Sequence, residues 1–147
     1  MKIQTKYLGE VEINEEKIIH FENGIPSFLD EKKFIILPFG EGTPLYILQS
    51  VTTPELGFVI VSPFDFFPDY QVKLSDSTIE ALGIEAEADV TLFVILTVQD
   101  PFTNTTANLQ GPVVINSKKQ KGKQISLNDP NYTTKHLLIP QAVGQEG

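Results

Sequence analysis

The chain has 147 residues, 41% of them hydrophobic, and a formal net charge of −8. That length suits one domain around one core, and the apolar share fits neither a disordered chain nor a membrane-spanning one. The longest unbroken apolar run, residues 92–96, is far short of the roughly 20 residues that cross a bilayer.

All 11 basic residues are lysine, set against 19 Asp and Glu, and cysteine is absent. Disulfides, thiolate metal sites and thiol nucleophiles are therefore excluded. A negative chain without arginine repels phosphate backbones and lacks the side chain that reads guanine. Acidity concentrates in residues 61–110, with 8 acids and 1 lysine, whereas residues 111–147 carry 2 acids and 5 lysines. The opening MKIQTKYLGEVEI has no hydrophobic block of a signal peptide, so the expected location is the cytoplasm.

Strand signals dominate. Ile3, Thr5 and Tyr7 alternate with polar residues, Gly9 breaks the run, and Val11 and Ile13 alternate again. Further strands are expected at 17–21, 33–38, 45–50, 57–62, 70–74, 90–98, 112–116, 124–127 and 136–139, separated by Gly, Pro and Asn-Gly punctuation. About ten short strands argue for an all-β barrel or sandwich. One short helix is expected near 75–83, with Ser77 as its cap, Glu80 three residues on, and Gly83 ending it. Residues 1–140 read as a single domain and 141–147 as a flexible tail. In the run 90–98, Val90, Leu92, Val94, Leu96 and Val98 share one face while Phe93 and Ile95 make the other apolar, so both faces are covered or one is a docking surface.

The search for chemistry returns mostly negatives. His20 and His136 lie far apart in strand contexts, and no nucleophile elbow, phosphate loop or zinc motif occurs. Glu85, Glu87 and Asp89 alternate as three carboxylates on one strand face, but the calcium-loop pattern is missing. No metal, cofactor or catalytic residue is assigned. The segment PFDFFPDY (63–70) stands out instead, because prolines at both ends prevent continuous sheet pairing of a ring-rich stretch. Aromatic groups beside acids suit a protein-binding surface. Asp65, Phe66, Phe67, Asp69 and Tyr70 are its candidate residues. From DPFTNTTANLQGP (100–112), Asn104, Asn108 and Leu109 join them, although these polar side chains serve equally to hold a tight turn. The stretch KKQKGKQ (118–124) reads as a lysine-tipped hairpin around Gly122.

Taken together, NGIPSF (23–28), LQSVTTPELGFVIVSPFDFFPDY (48–70), LTVQDPFTNTTANLQGPVVIN (96–116) and KGKQISL (121–127) resemble the flagellar assembly factor FliW family. The likeness runs over roughly residues 3–139, with one departure: Ser27 stands where the family often has glycine. The resemblance implies a cytoplasmic, non-enzymatic protein with a β-barrel-like fold. It implies two partners, newly made flagellin and the RNA-binding translational repressor CsrA, exchanged by partner switching. No direct nucleic-acid or membrane contact is implied, and a free monomer is expected. The competing readings are a barrel holding a small ligand, then an enzyme using Asp65 and Asp69 as acid and base, then a nucleic-acid barrel.

Overall fold

The computed structural model describes residues 1–139; the expected tail, 141–147, lies outside them. Along the chain run β1 (Lys2–Thr5), β2 (Gly9–Glu12), β3 (Ile19–His20), β4 (Lys33–Pro38), β5 (Tyr46–Ser50), β6 (Gly57–Val61), α1 (Asp76–Leu82), β7 (Val90–Thr97), β8 (Thr106–Ala107), β9 (Val113–Asn116), β10 (Lys121–Gln124) and β11 (His136–Leu137). Seven strands close into a ring in the order β3-β4-β5-β6-β7-β9-β10, so the all-β barrel reading is correct. The long strand β7 makes this possible. It pairs β6 on one edge, and on the other it pairs β9 through residues 90–93 and β8 through residues 96–97. The ring is sealed by one parallel pair, Lys121 with His20, where the His20 amide donates to the Gln120 carbonyl at 2.9 Å.

Alternation along the strands sorts the apolar residues into layers. Phe34, Leu48, Ile60, Phe93, Val113 and Ile115 meet Ile19, Phe21 and Ile25 inside the barrel. Phe21 and Phe34 are fully buried and meet edge-on with ring centroids 5.2 Å apart. A barrel of this size fills with side chains, and here the buried rings of Phe21 and Phe34 fill its centre. Ile47, Val59, Val61, Val94 and Leu96 face outward under a cover formed by residues 63–72, Leu109, Tyr132 and Leu138. The β1–β2 hairpin covers Ile35 elsewhere on the outer wall. Both faces of β7 are therefore covered over Phe93–Leu96, whereas Thr91, Thr97 and, beyond its end, Val98 are exposed.

Several local expectations are corrected. Residues 70–74 form no strand, because the 63–70 turn hands Tyr70 into the outer core and the chain then crosses to α1. The strand expected at 124–127 lies instead at Lys121–Gln124. Its hairpin turn is tied by the Asn116 carboxamide oxygen, which accepts from the amides of Lys118 and Lys119. Gly122 is thus a strand residue, not the turn. A Cβ there would lie 2.6 Å from Phe21 Cζ and 2.9 Å from Ile115 Cδ1, so glycine lets the Phe21 ring close the wall. The helix is capped by Ser75 rather than Ser77: the Ser75 hydroxyl accepts from the Thr78 amide at 3.2 Å. Gly83 ends it in the left-handed conformation at φ 64°, as expected. Residues 87–89 form a 3-10 turn, not a strand face of carboxylates.

Candidate functional site

The ring-rich segment folds as a compact turn on the outer wall. Pro63–Asp65 makes one 3-10 turn, and the amides of Phe66 and Phe67 both donate to the Pro63 carbonyl. The fixed φ of Pro63 suits the first position of such a turn. Tyr70 is 4% exposed, and its hydroxyl donates to the Leu109 carbonyl at 2.6 Å. Burial pushes its phenol well above the usual tyrosine range, with Tyr132 adding to the effect. Tyr132 packs on it with centroids 4.8 Å apart, and Phe67 meets His136 edge-on at 5.2 Å.

The eight sequence candidates therefore divide. Asp65 and Asp69 are exposed at this turn, and Phe66 and Phe67 are half-buried in the outer cover. Tyr70 and Leu109 (1% exposed) are core residues joined by their hydrogen bond; their side chains shape the surface from beneath and have no face to present. Asn104 lies exposed on a separate 3-10 turn, Phe102–Asn104. Asn108 is half-buried, with its oxygen accepting from the Gln110 amide at 3.1 Å. Nearby, Thr105 is fully buried and accepts from the Gln99 amide at 3.0 Å. Turn-holding thus describes Thr105 and Asn108 well.

The ring that does reach solvent is Phe64, 44% exposed. It lines an open groove of about 760 Å³ with Val72, Leu74, Ile79, Ile84 and Leu92. Ile84 is placed there by the helix end, where its amide donates back to the Ile79 carbonyl at 3.0 Å, the Schellman arrangement that brings these two apolar residues together. Glu85, Glu87 and Lys73 line the groove and are exposed, and the Glu85 carboxylate lies 4.0 Å from Lys118 Nζ. Asp89 turns inward on its own loop, where its carboxylate accepts from the amides of Glu85 and Ala86, both at 3.1 Å, and so fixes that loop. The groove's apolar residues come from four separate segments, so no short motif announces it. The Gly83-Ile84 pair after the helix was the one local signal.

Fold and groove define a small closed β-barrel that presents an acid-rimmed apolar surface on its outer wall. No helix among the described residues is long and apolar enough to cross a membrane. Residues 2–138 match the family described as "FliW protein". A flagellar assembly factor FliW from Geobacillus kaustophilus (strain HTA426) is 57% identical over 99% of this chain and 100% of its own. That of Bacillus subtilis (strain 168) is 51% identical over 94% of this chain and 96% of its own. A crystal structure of the flagellar assembly factor FliW superposes with a TM-score of 0.92 at 56% identity, covering 97% of this chain and 100% of that one. The chain belongs to the FliW family of flagellar assembly factors.

Proposed function

We propose that the protein is a non-catalytic cytoplasmic factor, monomeric when free, that binds newly made flagellin and, by partner switching, binds and antagonises CsrA. Flagellin accumulating in the cytoplasm occupies the factor and leaves CsrA to repress flagellin translation; export of flagellin releases the factor to lift that repression. The observation that carries this reading is the groove beside Phe64, an apolar trough with two carboxylates, Glu85 and Glu87, and one lysine, Lys73, on its rim. Such a trough suits the apolar face of an amphipathic helix whose flanks are basic or neutral. The acidic middle of the chain supports the second partner, because a bound body of charge −8 adds a field that repels phosphate from an adjoining RNA-binding protein.

The test is calorimetric titration against monomeric flagellin and against CsrA, followed by competition. Binding to both, with flagellin displacing CsrA, is expected. Phe64→Ser and Glu87→Lys should each weaken flagellin binding about tenfold, the usual consequence of losing an interface anchor or reversing a rim charge. Binding to neither partner would overturn the reading. Unchanged affinity in both variants would move the contact off the groove. Neutralising Asp65, Asp69, Glu85 and Glu87 should reduce inhibition of RNA binding by CsrA while complex formation persists. Asp89 is left intact because it holds its loop.

A further inference from the structure

Helix α1 borders a second hollow of opposite charge. Ile79 and the following Ile84 line the acid-rimmed groove, whereas Ala81 and Leu82 line a cleft of about 450 Å³ against β3, β4 and β10. Lys33, His20 and Lys121 stand directly opposite one another across these three strands. Lys123 follows two residues along on the same side of β10, and Lys32 completes the rim. Among the described residues none of these four lysines is in an ion pair, and Glu22 is the cleft's one acid. Phe21, Gly122 and Leu82, all buried, are its apolar lining.

Among the described residues these four lysines without an acidic partner gather around one hollow in a chain of net charge −8. We infer that this cleft docks an acidic peptide segment of a protein partner, with carboxylates on the lysine rim and a small apolar side chain against Ala81, which is exposed at the cleft's edge. A polynucleotide fits less well. The molecule's overall charge opposes it, and the Phe21 ring is fully buried, leaving no face for a base to stack on. This surface is separate from the Phe64 groove and stands whether or not that groove binds flagellin.

The probe is acetyl-Glu-Glu-Ala-Glu-Glu-amide titrated into isotope-labelled full-length protein, read from backbone amide shifts. Its all-glutamine counterpart and a short single-stranded RNA serve as comparisons. Saturable shifts at His20, Phe21 and Gly122 are expected, weakening with salt. The Lys33→Gln/Lys121→Gln double variant should bind about tenfold more weakly, while Lys17→Gln/Lys135→Gln, which keeps the same net charge as that double variant, stays within about twofold. Any of four results would overturn the inference: no shifts at these amides, equal binding of the glutamine peptide, tighter binding of RNA at the same residues, or an unaffected Lys33→Gln/Lys121→Gln variant.

Discussion

Ser27 holds a backbone φ of 76° within a turn closed by the Phe28 amide donating to the Ile25 carbonyl at 2.7 Å. Proline at the second position and positive φ at the third is the pattern of a type II turn, where glycine carries no steric cost. This gives a physical reason for the glycine that the resemblance led one to expect here, which the sequence motif alone presented only as a departure. Ser27 is exposed, so its replacement loses no packing. Ser27→Gly is expected to stabilise the fold by about 1 kcal/mol, seen as a higher urea midpoint with unchanged slope. Tyr70 makes the complementary case. Its ring was legible as part of an aromatic cluster, but its burial was not, because that depends on the distant Leu109 and Tyr132. Since the folded state raises the Tyr70 pKa, the stability it contributes is fully present below about pH 10 and is lost as pH climbs above that value. Tyr70→Phe should cost about 1–2 kcal/mol at pH 8 through the unpaired Leu109 carbonyl. Its further decline between about pH 10 and 12 should be shallower than that of the unaltered protein, as denaturant titrations at each pH would show.

Helix α1 separates a spacing from the geometry it stands for. Ser77 and Glu80 have the separation of a capping box, yet Ser75 makes the cap, because the helix begins two residues earlier at Asp76. Ser75→Ala should cost about 1 kcal/mol and Ser77→Ala less than about 0.5 kcal/mol, compared by thermal unfolding. The strands followed the same division. Those at 33–38, 46–50, 57–61 and 90–97 carry enough apolar residues for their pattern to be read directly. The two-residue strands β8 and β11 exist because they pair with each other, and β8 also with β7. Nothing local in Thr106–Ala107 specifies that. The Phe64 groove was hidden for the same reason: composition marked the 63–70 turn, but only the turn's direction leaves Phe64 outside and Tyr70 within.

Across the barrel as a body, closure is uneven. β4 and β5 share five register pairs, whereas the seam between β10 and β3 has a single one, supported by the Gln120 carboxamide donating to the Glu16 and Ile18 carbonyls. Few hydrogen bonds and an exposed lysine rim place this seam at the low-stability end of the structure. The His20 amide is therefore expected to exchange with deuterium well before the amides of β5 and β6, under conditions where global unfolding is slow. Equal protection across seam and sheet would show that the ring opens only as a unit. The seam also joins residues 20 and 121, which emerge from the ribosome far apart in time. Until β10 has been made, the chain can be no more than an open, curled sheet, with Phe21 and Phe34 waiting on a wall that is synthesised well after them.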